Sequence, residues 1–117
     1  MQLFFPSDLL EICHNYKIPF IYDVHHHRCL KDNLSVEIAT KESIKTWNRE
    51  PLFHISSPLH GYERKDFKSH HDYINIEDFP NFWLKIKERI TIEVEAKAKE
   101  LAIKRLIKDF SKRKIKL

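Results

Sequence analysis

The sequence predicts an α/β fold whose strands run parallel, and three observations lead there. Short apolar runs at Ile18 to Val24, Pro51 to Ile55 and Ile90 to Ala96 alternate with stretches of helical periodicity. Each run contains or ends in imidazole, hydroxyl or carboxylate side chains. Strands that alternate with helices are joined by right-handed crossovers, which set them side by side in a parallel sheet.

Taken in order, Ser7 and Asp8 give an N-cap signal behind Pro6, and Leu9, Leu10, Ile12, Cys13 and Tyr16 recur at helical spacing. Lys17-Ile18-Pro19 ends that helix. Ile18 to Val24 shows no polar alternation and predicts a strand buried on both faces. Leu34 to Trp47 predicts a second helix, capped by Asn33 or Ser35, with Ile38, Ile44 and Trp47 as its apolar positions. Pro51 to Ile55 is the second strand. Ser56 to Asp72 is a polar loop, long for a simple connection and in that respect typical of functional or mobile segments. Ile76 to Leu84 starts a helix without clear boundary signals. Ile90 to Ala96 is the third strand, and Lys97 to Phe110 is an amphipathic helix through Leu101, Ile103, Leu106, Ile107 and Phe110. Residues 103–117 carry this helix into a basic tail.

At 117 residues the chain makes one domain at most, with 42% hydrophobic and 32% charged residues, a globular composition. Its longest apolar run falls far short of a membrane span. The N-terminus lacks the basic region and small-residue cleavage site of a secretory signal. Cys13 and Cys29 are not spaced as CxxC and suit a reduced cytoplasm, with Cys13 as a core position of the first helix. The net charge of +4 and pI near 9.1 are compatible with a polyanionic partner. Much of that excess sits at Lys104, Arg105, Lys112, Arg113, Lys114 and Lys116, as on any solvated helix face. A single glycine, Gly61, excludes a Gly-rich phosphate loop.

In parallel α/β folds functional groups gather at the C-terminal ends of the strands. The first strand leads into Asp23-Val24-His25-His26-His27, the second holds His54 followed by Ser56 and Ser57, and the third alternates Thr91, Glu93 and Glu95 on one face. Carboxylates mixed with neutral imidazoles suit Mn²⁺, Zn²⁺ or Fe²⁺ better than an all-oxygen Ca²⁺ or Mg²⁺ site. Metals held this way polarise phosphate oxygens and activate water, so phosphodiester hydrolysis is the natural reaction. Nothing in the sequence activates Cys13 or Cys29 as a nucleophile, and Ser56 has no nucleophile-elbow context. His14 and His60 read as ordinary structural histidines, and Glu95 beside Lys97 or Lys99 has a structural ion pair as its rival reading.

Four pieces resemble the UV damage endonucleases, repair enzymes that nick DNA beside ultraviolet photoproducts. They are Ile18-Pro19-Phe20-Ile21-Tyr22-Asp23-Val24-His25-His26-His27, Phe53-His54-Ile55-Ser56-Ser57-Pro58, Ser69-His70-His71-Asp72-Tyr73-Ile74, and Val94-Glu95-Ala96-Lys97-Ala98-Lys99-Glu100. The resemblance implies a TIM barrel, related to apurinic endonucleases of the endonuclease IV type, with a metal cluster at its C-terminal mouth. By that resemblance Asp23 and His26 are the acid and histidine of a D-x-x-H element, and His25 and His27 support the loop or face DNA. His54 is the ligand of the next strand, with Ser56 and Ser57 at the polar positions after it. His70 rather than His71 heads the H-x-D-Y pattern, and Glu95 is the last-strand carboxylate, with Glu93 ranked second. Leu52 stands where the family commonly has a lysine.

The resemblance covers only the C-terminal part of the barrel, so upstream ligands and lesion-probing residues lie outside it. It implies a partial TIM barrel of about three parallel strands with flanking helices, Mn²⁺ as first candidate cofactor with Zn²⁺ or Mg²⁺ as alternatives, and damaged double-stranded DNA as partner, with no membrane. Strands cut from a closed barrel expose two unpaired edges and apolar surface. The chain is therefore expected to be unstable or inactive alone, or to need a chain supplying the N-terminal half-barrel. The rival expectations are an inactive remnant or metal-binding module, and another TIM-barrel metalloenzyme such as an apurinic endonuclease or sugar isomerase relative.

Overall fold

A computed structural model of the chain describes residues 5–30, 32–59 and 70–115. The element order is α1 (Pro6–Tyr16), β1 (Tyr22–Asp23), α2 (Val24–Cys29), α3 (Val36–Lys45), β2 (Leu52–Ile55), two short 3₁₀ turns (Ile76–Asp78 and Asn81–Lys85), β3 (Thr91–Val94) and α4 (Glu100–Lys112). The strands form one open three-stranded sheet in the order β1-β2-β3. Strands β1 and β2 are parallel, with Tyr22 opposite Phe53 and Asp23 opposite His54. Thr91 N–H donates to the Pro51 carbonyl and Glu95 N–H to that of Ile55. Both bonds keep one offset, as a parallel ladder requires.

The chain divides into two compact units, residues 1–54 with 87–92 and residues 55–86 with 93–117. Strands β2 and β3 each pass from the first unit into the second. In the first unit, Leu10, Tyr22, Val24, Ala39 and Phe53 are buried apolar residues. The Tyr22 and Phe53 rings meet edge-on at 6.2 Å, an arrangement that adds to the burial of two large aromatic surfaces. Ser35 caps α3, its hydroxyl accepting from Ile38 N–H at 3.1 Å, which satisfies one of the donors every helix start leaves over. In the second unit, Phe79 stands edge-on to Trp83 at 5.6 Å and to Phe110 at 4.9 Å. Around that cluster Ile55, Ile74, Ala102 and Leu106 are buried.

Several predicted elements shift. The first helix begins at Pro6, with Phe5 rather than Ser7 at its N-cap; proline suits the first helical turn because it has no N–H to leave unpaired. Only two residues of the Ile18 to Val24 run pair as strand, and Ile18 and Ile21 are 50% and 43% exposed rather than buried. The cause lies in how Phe20 is satisfied: its N–H donates to Thr46 Oγ1 at 2.8 Å, and its carbonyl accepts from Trp47 Nε1 at 2.9 Å. Side chains that follow α3 thus satisfy both backbone groups of Phe20, two residues before β1. Val24 opens α2, so the histidine triplet lies on a helix, not a strand end or loop. The Ile76 to Leu84 helix resolves into two 3₁₀ turns, consistent with Pro80 between them. The third strand is four residues long, and the last helix begins at Glu100 rather than Lys97 because Lys99 breaks the backbone at φ 52° and ψ −121°. Along α1, Ile12 and Tyr16 are exposed although their spacing marked them as core. Among the described residues no helix is long and apolar enough to cross a membrane. His60, Ser69 and most of the predicted Ser56 to Asp72 loop lie outside the described residues.

Candidate metal centre

Asp23 ends β1 and is the N-cap of α2. Its Oδ1 accepts from His26 N–H at 2.9 Å, so the first turn of α2 fixes its rotamer and leaves Oδ2 for another partner. His54 stands opposite Asp23 on the neighbouring parallel strand. Glu95 lies one residue past β3, where its N–H donates to Ile55, the residue that follows His54. One ligand atom from each of Asp23, His54 and Glu95 lies within 4.8 Å of the others, and all three residues are half-buried. That upper bound is little more than the ~4.2 Å between ligands on opposite sides of one transition-metal ion. Two carboxylates and an imidazole match Mn²⁺ and Zn²⁺ in both charge and softness, so this donor set fits the group that the residue types implied.

Of the five predicted ligands, Asp23, His54 and Glu95 come together, while His26 and His70 lie outside that group. His26 contributes its backbone N–H to Asp23. His70 forms an isolated antiparallel bridge with Pro58. Glu93, ranked behind Glu95, is exposed and also outside the group. His25 and His27 are buried, at 5% and 4% exposure, so neither presents its ring to solvent. His25 Nε2 sits 3.5 Å from Cys29 Sγ, one helical turn on.

His27 belongs to a buried chain that sequence reasoning missed. Tyr22 hydroxyl lies 2.5 Å from His27 Nδ1, and His27 Nε2 lies 2.8 Å from Asp32 Oδ1. Asp32 also accepts from Ser7 N–H at 3.0 Å and Leu34 N–H at 2.9 Å. Burial alone would raise the Asp32 carboxyl, but the Leu34 N–H, the His27 imidazole and the Ser7 N–H together hold it below its ordinary value. Burial pushes the Tyr22 hydroxyl well up, so it stays a donor. An ionised Asp32 therefore keeps the His27 proton on Nε2 and leaves Nδ1 to accept from Tyr22. The signal for Asp32 was local: an Asx turn to Leu34 just before the Ser35 cap, in the polar run Asp32-Asn33.

In the second unit Ser56 and Ser57 are buried. Ser57 hydroxyl donates to Asp78 Oδ2 at 2.7 Å and accepts from Asn75 N–H at 2.9 Å, which makes it a joint between two loops. The carbonyls of His71 and Asp72 accept from Lys97 N–H and Ala98 N–H, tying the histidine pair to the segment after Glu95.

The sequence model of a family described as UV-endonuclease UvdE matches residues 2–117. A protein named UV DNA damage endonuclease from Bacillus mycoides is 38% identical over 111 residues, covering 90% of this chain and 34% of the relative. One of the same name from Halalkalibacterium halodurans is 35% identical over 112 residues, with 90% and 34% covered. The chain thus spans about a third of the length of these curated relatives. A crystal structure of SacUVDE is similar with a TM-score of 0.78 and 26% identity, over 98% of this chain and 38% of that one.

Proposed function

The chain belongs to the UV-endonuclease UvdE family, and on that premise we propose that it forms the metal-binding end of a DNA endonuclease that nicks the backbone beside ultraviolet photoproducts. The observation that carries this reading is the Asp23, His54 and Glu95 group, drawn from the C-terminal ends of three adjacent strands. Asp23 and Glu95 supply the negative charge that holds a divalent ion, Mn²⁺ first and Zn²⁺ or Mg²⁺ next, and His54 supplies a neutral nitrogen. Such an ion, when bound, provides Lewis-acid polarisation of a phosphodiester oxygen and an activated water. Asp23 is aimed by His26 N–H, which holds one oxygen and so sets the direction of the other. His26 and His70 are candidate further ligands, and His25 and Tyr22 with His27 and Asp32 support the turn of chain that carries Asp23.

We read the strands as part of a (β/α) barrel completed by a polypeptide that supplies the N-terminal half, with damaged double-stranded DNA as the substrate and the cytoplasm as the setting. The outer edge of β1 and the exposed Ile12, Tyr16, Ile18 and Ile21 of the first unit favour such a partner over a chain that works alone. Titration with Mn²⁺, followed by calorimetry, tests the reading: the chain takes up the ion and Glu95→Gln abolishes uptake. Equal uptake by both removes Glu95 from the site. Nicking of irradiated plasmid by the chain alone is expected to be slight, and robust nicking would refute the requirement for a completing partner.

A further inference from the structure

Within the second unit a cavity of about 720 Å³ opens between Ser57 to Leu59, the Tyr73 to Asp78 segment and helix α4. That volume lies in the range of small-molecule sites and exceeds what a lone ion needs. Its lining is rich in donors. Tyr73 N–H donates to His71 Nδ1 at 3.0 Å, so the neutral ring carries its proton on Nε2 as a donor. The Arg105 guanidinium sits over the Tyr73 ring at 4.7 Å. Lys112, two turns along the same helix, lines the cavity and makes no ion pair among the described residues.

The acidic groups around this cavity are mostly engaged. Asp78 accepts from Ser57, and Glu77 pairs with Arg113. Asp109 is left as an acceptor between Arg105 and Lys112 on α4. A planar guanidinium fork, an ammonium and an imidazole N–H form the donor set that recognises phosphate oxygens.

We propose that this cavity receives a phosphate of the polynucleotide backbone, with Arg105, Lys112 and the His71 Nε2–H as its donors. The assignment rests on the DNA-binding reading above and adds an anchor point outside the Asp23, His54 and Glu95 group. Phosphate recognition of this kind fixes the register of the duplex without reading its sequence.

The test is fluorescence anisotropy of a labelled duplex oligonucleotide with the full chain, in EDTA. Without divalent ions the measurement is independent of Mn²⁺ uptake, so failure here leaves the ligand group standing, and the reverse also holds. Arg105→Gln with Lys112→Gln is expected to weaken retention about tenfold and to reduce the salt slope by about two, one for each cation removed from the phosphates. The control is Lys104→Gln with Lys108→Gln, the same charge change at exposed positions of α4 outside the cavity, and it should cost less than about threefold. Lys112→Gln alone, at an exposed side chain, guards against a folding defect and should give about half the change in slope. Equal losses from cavity and control pairs would reduce the effect to bulk charge and overturn the proposal, as would a wild-type chain that retains no duplex. Selective displacement of the duplex by inorganic phosphate at matched ionic strength would assign the cavity to a free ion instead, and overturn the backbone assignment.

Discussion

Asp32 holds three segments of the first unit at one carboxylate, and its removal tests how the turn that carries Asp23 is kept in place. Its oxygens accept from Ser7 N–H at 3.0 Å, His27 Nε2 at 2.8 Å and Leu34 N–H at 2.9 Å. Asp32→Ala strands all three donors, and at about 1 kcal/mol each, the low end for partly buried groups, the loss is about 3 kcal/mol. Asp32→Asn keeps one oxygen for His27 and Leu34 and forfeits the Ser7 bond, a loss of about 1 kcal/mol. Urea unfolding followed by circular dichroism measures both. The folded carboxyl sits below its ordinary value of 3.8, so Asp32 stabilises fully above that value and the contribution fades as the pH falls through the lower folded value. The asparagine variant, having no carboxyl to protonate, should lose that part of the acid dependence. A loss under about 1 kcal/mol for Asp32→Ala, or equal losses for both variants, would refute the claim that this carboxylate is the anchor.

Lys99→Gly should raise stability by about 1 kcal/mol in thermal denaturation, because φ 52° with ψ −121° is a glycine conformation that a lysine occupies under strain. No gain would place the strain elsewhere. Phe79→Ala should cost about 3–4 kcal/mol, since the ring is 7% exposed and meets both Trp83 and Phe110; a loss under about 1 kcal/mol would show that the cluster is not the core of its unit. Tyr16→Gln with Ile18→Thr and Ile21→Thr should lower self-association in light scattering while changing stability by no more than about 0.5 kcal/mol per site. Unchanged association would mean that this exposed apolar surface is not what draws copies together.

The parallel alternation of strands and helices was legible because it depends on short-range pattern, and all three strands lie within the runs that showed it. The boundaries were less legible for a reason visible at Phe20. Its backbone groups bond to Thr46 and Trp47, residues 26 and 27 positions away, and no local pattern announces such partners. The exposed Ile12, Tyr16, Ile18 and Ile21 follow the same logic in reverse: their spacing marks buried faces, and apolar periodicity records that a face is to be covered without recording by what. For the site, residue type and strand position marked Asp23, His54 and Glu95 within a wider set that also held His25 to His27, Ser56, Ser57, Thr91 and Glu93, and the resemblance narrowed it to Asp23, His26, His54, His70 and Glu95. Neither was enough to see that His25 and His27 turn inward, since consecutive histidines on a helix differ by their angle about its axis, which depends on where α2 begins. Asp32 was missed because a carboxylate between two helices resembles a cap until its partner histidine is in view.

The three grouped candidate ligands also differ from the other candidates in what they depend on. Asp23 reaches His54 through one register pairing, and Glu95 reaches the residue after His54 through one backbone bond. Neither relation requires the sheet to close, so the donor group is a property of three adjacent strands. Three protein ligands suffice for a catalytic zinc-type site with a position left open, whereas six-coordinate ions leave several positions to be filled by water, substrate or other side chains. On the proposed function, ion uptake and strand cleavage should therefore separate. On that reading, uptake would need only the local pairings of these strands, while cleavage would need whatever covers the outer edge of β1 and fills the remaining coordination positions. A chain that bound Mn²⁺ only after a completing polypeptide was added would contradict this division, because it would make the ligand group itself a product of closure.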